Sequence, residues 1–360
     1  MSRVVDGVLK DWGERYDYGR VQGRRGKNIR SGPPKKAPPP AKPSGPATRE
    51  KVARTVKKAP EVMVKISGGG KNMQRIKAHM DYISRNGAVD LEDENGYTYL
   101  GKEDVRAVRD AWAKGKIGIP YEGEKRREAF NIVLSMPPGT DRQAVKNAAR
   151  AFASAQFNNH QYVFAAHDDE KHPHVHLSVK AVDFDGVRLN PRKADLQLWR
   201  ELFAEKLRDQ GIEANATPRK ARGVVQKAEK QAVRQMERRG AVSRAKAAQL
   251  ADAEREATGG PKKKNPAQDR ISANRKEAEQ TYGKVARALA SGETEDKQLA
   301  VQIVRFVQQM PPLETQHDVL VQRLRKQSDK GDGRGRTRGQ EQTEPSKGIE
   351  KGKGSGPDRT

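Results

Sequence analysis

Apolar positions are sparse as far as about residue 61 and then fall into a readable rhythm. Val62-Met63-Val64-Lys65-Ile66 predicts a strand, broken by Ser67-Gly68-Gly69-Gly70. Met73, Ile76, Met80 and Ile83 then recur at helical spacing. Residues 87–125 read as polar and loop-rich, with one helix around Asp104 to Ala113. Phe130 to Met136 predicts a second strand, stopped by Pro137-Pro138-Gly139. Thr140 and Asp141 offer caps for a helix over 142–157 that buries Val145, Ala149, Phe152 and Ala153. Tyr162 to Ala166 and His174 to Val182 read as a third and a fourth strand, and Asp195 to Asp209 as an amphipathic helix ended by Gly211. Strands and helices in this order, with adjacent strands antiparallel, predict an α+β class: an antiparallel sheet with flanking helices.

The flanks have a different texture. Residues 19–58 hold thirteen Lys or Arg, one acid (Glu50) and seven prolines. Such a stretch favours extended, solvated backbone, so 1–60 is expected to be a basic, Pro-rich disordered arm. Beyond Gly223 the chain is rich in Ala, Lys, Arg, Gln and Glu, which predicts helices through 223–326, and 327–360 reads as a disordered basic tail. The α+β domain is thereby expected over 61–222.

Charge changes the picture next. Lys plus Arg number 72 against 47 Asp plus Glu, a net of +25. An excess of that size points to a polyanion, nucleic acid first, with an anionic membrane or a merely solvated tail as the plain alternatives. There is no cysteine, which excludes disulfides, thiolate metal sites and thiol catalysis. No apolar run approaches the ~20 residues of a membrane span, so no membrane insertion is expected.

Four of the seven histidines fall between His167 and His176. Residues i and i+2 of a strand share a face, so His174 and His176 project together while Val175 turns away. His167, at the end of the preceding strand, is the natural third ligand of a divalent ion. The plain alternative is a polar turn with accidental histidines, which the alternation and the following Leu177-Ser178-Val179 disfavour. Imidazoles suit zinc, manganese, iron or nickel, and magnesium becomes acceptable when a phosphate supplies oxygen. Asp169 is expected to orient a ligand imidazole through its other ring N–H. His172 has the right parity, but Pro173 disturbs the strand there, so it is assigned to DNA contact or to support of the ligands.

Three segments carry a family resemblance. Ile66-Ser-Gly-Gly-Gly-Lys-Asn-Met-Gln-Arg-Ile-Lys-Ala-His-Met-Asp-Tyr82-Ile-Ser-Arg-Asn-Gly87 resembles the first motif of the conjugative relaxases, the mobilisation nucleases that include the T-DNA border endonucleases. Ile132-Val-Leu-Ser135-Met-Pro-Pro-Gly139-Thr-Asp141 resembles the second, and His167-x-Asp169-x-x-His172-Pro-His174-Val-His176 the third. The resemblance spans roughly 62–225. One departure is Lys171, where relatives often carry an acid.

The resemblance implies that Tyr82 attacks DNA, that Ser135 lies near it, and that His167, His174 and His176 hold the metal, most simply Mg²⁺ or Mn²⁺. Asp169 joins Tyr82 and Ser135 in the implied catalytic set. Lys71, Arg85 and His172 are expected to contact DNA, and the glycines before Lys71 to let backbone approach it. The implied activity is strand-specific nicking and rejoining at a transfer origin through a 5′-phosphotyrosyl intermediate. Implied partners are accessory relaxosome proteins and a type IV secretion coupling protein, and the implied location is the bacterial cytoplasm, with transfer to a recipient on the DNA. A rolling-circle replication initiator uses the same chemistry, and a non-catalytic DNA-binding protein is the other alternative.

Overall fold

The computed structural model describes residues 5–6, 8–9, 45–115, 118–121, 126–225, 231–262 and 265–336. The chain divides into two compact units, one of residues 1–223 with 274–311, the other of residues 224–273 with 312–360. The first unit is built on six strands: β1 (Met63–Gly68), β2 (Leu91–Asp93), β3 (Thr98–Tyr99), β4 (Ala129–Ser135), β5 (Tyr162–His167) and β6 (His174–Lys180). They form one sheet in the order β1-β4-β6-β5-β2-β3, and every pairing is antiparallel. The fold is α+β, as the alternation of elements predicts. The two short strands β2 and β3 lie in the stretch expected to be loop.

Register determines which side chains share a face. Ser135 of β4, His174 of β6 and His167 of β5 stand in one cross-strand row, and Val133, His176 and Ala165 in the next. The opposite face carries Val175, Leu177 and Val179, all buried. That face packs on α4 (Arg142–Gln156) and α5 (Lys193–Asp209) through Phe152, Ala153, Trp199, Phe203 and Leu207. The Asp141 carboxylate caps α4 by accepting from the Ala144 N–H at 2.6 Å.

The histidine-bearing face is covered at its other end by α2 (Met73–Ile83) and α3 (Gly101–Lys114). Met73, Ile76, Met80 and Ile83 from α2, with Val105, Val108 and Trp112 from α3, close over Ala129, Val163 and Ala165. Asn72 starts α2 by accepting from the Arg75 N–H at 3.0 Å. Asp81 Oδ1 accepts from Arg109 Nη1 at 2.6 Å and ties the last turn of α2 to α3.

The glycines ahead of α2 serve this packing. A Cβ on Gly69 would lie 2.4 Å from the Ala129 carbonyl oxygen, and one on Gly70 would lie 2.2 Å from Ile76 Cγ1. The Gly70 carbonyl meanwhile accepts from the Glu128 and Ala129 N–H groups at 2.7 and 3.1 Å. Their close approach in the structure is to β4 and α2 of the protein itself. Gly70→Ala is therefore expected to lower the unfolding free energy by about 1–3 kcal/mol, the cost of overpacking. A urea melt against the parent protein checks it, and an unchanged midpoint would contradict it.

The first unit also holds a helical core away from the sheet. The helix α1 (Gly45–Val56) buries Val52 against Tyr282, Val285, Leu289, Leu299, Ile303 and Phe306 of two later helices, and Val5 and Leu9 join that cluster. Arg49 Nε bonds the buried Asp296 carboxylate at 2.8 Å. The expectation of a disordered arm is thus corrected for 45–56. Val52, Thr48 and Thr55 sit at helical spacing, and their burial outweighs the Pro- and Lys-rich composition. The rest of the expected arm at 10–44 lies outside the described residues.

After the sheet domain come a short 3-10 turn at Arg219–Arg222 and then α6 (Gln231–Arg238), α7 (Arg244–Ala257), α8 (Gln268–Ala290), α9 (Thr294–Gln308) and α10 (Gln316–Arg336). In the second unit α7 packs on α10, with the His317 ring nitrogen Nε2 2.9 Å from the Glu256 carboxylate. Helix continues to Arg336, past the start expected for the tail, and 337–360 lie outside the described residues. Among the described residues no helix is long and apolar enough to cross a membrane.

Candidate functional site

Three elements converge at the uncovered end of the sheet: the end of β5, the start of β6 and the last turn of α2. His167, His174 and His176 each turn one nitrogen inward, and these atoms lie within 4.8 Å of one another. The ring centroids of His167 and His176 are 4.6 Å apart, and those of His174 and His176 are 5.1 Å apart.

The outward hydrogen bonds assign the tautomers of two rings. His167 Nε2 lies 2.7 Å from the Ile83 carbonyl oxygen, which can only accept, so the proton sits on Nε2 and Nδ1 keeps its lone pair. His174 Nδ1 likewise donates to the His172 carbonyl at 3.2 Å and leaves Nε2 free. Burial pushes the His174 imidazole below its ordinary pKa, against the His172 carbonyl and with His167 and His172 as neighbours. His176 is pushed down to about 3, first by burial and then by His167, His174, His79 and Arg85. Rings kept neutral with free lone pairs are what a divalent ion requires of imidazole.

Sequence reasoning assigned the support of these rings to Asp169. The structure gives it to backbone carbonyls of Ile83 and His172, and the Asp169 carboxylate instead pairs with Arg85. The reason is positional: the chain leaves β5 at His167, and Arg85 reaches in between. Partial burial raises the Asp169 carboxyl, but the hydrogen bond and charge of Arg85, with His167 and His174 beyond, hold it below the usual carboxylate range.

Tyr82 lies over this cluster, on the penultimate residue of α2. Its ring is 5.6 Å from His176 and 6.2 Å from His167, edge-on to both, and the residue is 51% exposed. The Arg85 guanidinium carbon sits 5.0 Å from the centre of the same ring. Ser135 is 3% exposed and stands across from His174, so it lines the floor beside the histidines rather than the open mouth. His172 flanks His174 from outside, with centroids 5.5 Å apart. Lys71 precedes the cap of α2 and so lies a whole helix away from Tyr82, about 15 Å at 1.5 Å per residue.

Sequence reasoning passed over His79. It stands three residues before Tyr82 on the same helix face, stacks on the tyrosine at 6.2 Å and meets His176 edge-on at 6.4 Å. Its Nε2 is buried without a hydrogen-bond partner, and burial, with His167 nearby, lowers its pKa to about 4. The i, i+3 spacing was the available signal. On the other side, Arg142 braces the loop after β5 by donating to the carbonyls of His167 and Glu170 at 3.3 and 2.6 Å.

An exposed phenol over three converging imidazoles, beside a guanidinium, suits attack on an anionic ester. Comparison with known proteins finds two kinds of likeness. Residues 82–212 match the family model described as the nuclease domain of MobA/VirD2-like relaxases. The chain is 27% identical over 187 residues to the T-DNA border endonuclease VirD2 of Rhizobium radiobacter, covering 46% of this chain and 44% of that protein. It is 26% identical over 186 residues to the protein of the same name from Agrobacterium fabrum, covering 46% and 42%. The match thus takes in less than half the length of these relatives.

Proposed function

We propose, from a nuclease domain at residues 82–212 that belongs to the MobA/VirD2-like relaxase family, that this protein nicks and rejoins one strand of DNA at a transfer origin. The observation that carries the reading is the placement of Tyr82, half exposed, over the inward nitrogens of His167, His174 and His176.

In this reading Tyr82 Oη attacks the phosphorus of the scissile phosphodiester. The Oη–P bond forms and the P–O3′ bond breaks. The phenol gives its proton to solvent and the departing O3′ takes one from solvent, so the products are a 5′-phosphotyrosyl link and a free 3′-hydroxyl. One ester is exchanged for another, and the reverse step rejoins the strand without an external energy source. The histidines fit a divalent ion, Mg²⁺ or Mn²⁺ when DNA supplies oxygen ligands, because hydrogen bonding leaves inward lone pairs on His167 Nδ1 and His174 Nε2. Such an ion, when bound, supplies Lewis-acid polarisation of the phosphate and offsets its charge. His79 and His176 both border the tyrosine ring, one stacked and the other edge-on.

Basic surfaces outside the site supply sequence-independent phosphate contacts. Accessory relaxosome proteins and a type IV coupling protein complete the proposed setting: assembly in the bacterial cytoplasm and passage to a recipient on the 5′ end of the strand.

The test is incubation of the full chain and Mn²⁺ or Mg²⁺ with supercoiled plasmid carrying the origin of the element that encodes it. The expected product is an open circle with protein covalently attached to the 5′ side of one nick and a 3′ end that a polymerase extends. Nicks bearing free 5′-phosphates and no protein would overturn the reading, as would undiminished nicking in excess chelator.

A further inference from the structure

Directly after α2 the backbone does something costly. Arg85 and Asn86, two successive residues with side chains, have φ of 51° and 58°, and Gly87 follows at 91°. Left-handed backbone is unfavourable for residues other than glycine, and Arg has none of the local compensation of Asn. Such strain persists only where its surroundings over-determine it. Here the Asn86 N–H donates to the Asp81 carbonyl at 2.7 Å, and the Gly87 carbonyl accepts from the Gly101 N–H at 2.9 Å. A Cβ on Gly87 would lie 2.5 Å from the Gly101 carbonyl carbon. The turn is bolted to α2 and α3, and its effect is to fold the Arg85 side chain back over the site.

The guanidinium lies 5.0 Å from the Tyr82 ring centre, and Nη2 points to His167 Nδ1 at 3.3 Å while pairing with Asp169. The Arg85 and Asp169 side chains are 34% and 51% exposed, so the pair stands at the mouth where an anion arrives. Arg142, the neighbouring guanidinium, is committed to two carbonyls of the loop.

We propose that Arg85 is a catalytic residue that binds the scissile phosphate, with Asp169 occupying its place until DNA arrives. The inference rests on the reading that Tyr82 attacks a phosphodiester. A guanidinium donates to a carboxylate or to phosphate oxygens alike, so one anion can replace the other without rebuilding the site. Were His167 to hold an ion through Nδ1, the Arg85 N–H now directed at that atom would be free to donate to phosphate. Charge grows on the non-bridging oxygens in the transition state, and a fixed cation beside the nucleophile stabilises it there more than in the ground state.

Single-turnover cleavage of an oligonucleotide spanning the mapped nick site tests this with Arg85→Gln and Arg85→Lys. Cleavage by Arg85→Gln should fall ~10²–10³-fold, the usual loss for one transition-state donor, and Arg85→Lys should recover part of it. Calorimetry should show Mn²⁺ binding to Arg85→Gln unchanged or tighter. On an oligonucleotide whose scissile phosphate is a methylphosphonate, with one charged oxygen replaced by methyl, the gap between parent and Arg85→Gln should narrow by at least ~10-fold. Cleavage by Arg85→Gln within threefold of parent, an equal deficit on both substrates, or a deficit matched by lost Mn²⁺ affinity would overturn the role. If the parent protein forms no adduct at all, the proposed function itself has failed.

Discussion

Tyr82→Phe should form no covalent DNA adduct and should nick at least ~10⁴-fold more slowly than the parent, because loss of a nucleophile is not made good by the groups around it. The variant should remain as stable as the parent to within ~0.5 kcal/mol, since the half-exposed ring stays and only its hydroxyl leaves. Three other described tyrosines are poorly suited to take over. The Tyr99 hydroxyl donates to the Asp93 carboxylate at 2.9 Å, and burial with that hydrogen bond pushes its pKa up to about 12. Tyr162 is buried, and burial followed by Glu94 and Glu92 pushes it up to about 12 as well. Tyr282 is buried and donates to the Ala221 carbonyl at 3.0 Å. A denaturing gel of labelled oligonucleotide checks the prediction, and an adduct of parental yield would remove Tyr82 from its role.

His176→Ala should carry the next largest effect. His176 is the central ring of the cluster, buried and in contact with His167, His174, Tyr82 and His79. Losing a ligand should cost Mn²⁺ affinity well beyond the ~10–100-fold typical of losing a supporting partner. Cleavage should fall in parallel, by ~10³-fold or more, because the phosphate loses its principal source of charge neutralisation. His79→Ala is the matched control. It deletes a neighbouring imidazole that lies outside the ligand set and should leave Mn²⁺ affinity within threefold of parent. Calorimetry of both variants decides the matter: equal affinities for His176→Ala and parent would exclude His176 as a ligand.

Much of the sheet was legible because its strands and helices obey local periods. Val175, Leu177 and Val179 alternate with His174, His176 and Ser178, and this alone separates a core face from a chemical face in β6. Met73, Ile76, Met80 and Ile83 mark the buried stripe of α2 in the same way. The short pairs β2 and β3 escaped, since three and two residues cannot display an alternation. The helix α1 escaped for another reason. Its buried positions are few, and its partners at Tyr282 and Phe306 lie more than two hundred residues away, so nothing local shows what it packs against.

The candidate site divides along the same line. By itself the sequence determined that His174 and His176 share a face and that Tyr82 lies on the helix marked by Met73, Ile76, Met80 and Ile83, because both follow from the pitch of a strand or helix a few residues long. Only the tertiary structure decided that Tyr82 lies over those histidines, that His79 stacks beneath it, and that Asp169 pairs with Arg85 rather than with one of the three clustered imidazoles. Those outcomes depend on the β5–β6 register, on Met80 and Ile83 seating α2 against Ala165, and on the left-handed turn at Arg85. A local period says which way a side chain points. What waits there is set by long-range packing, which no short window of sequence contains.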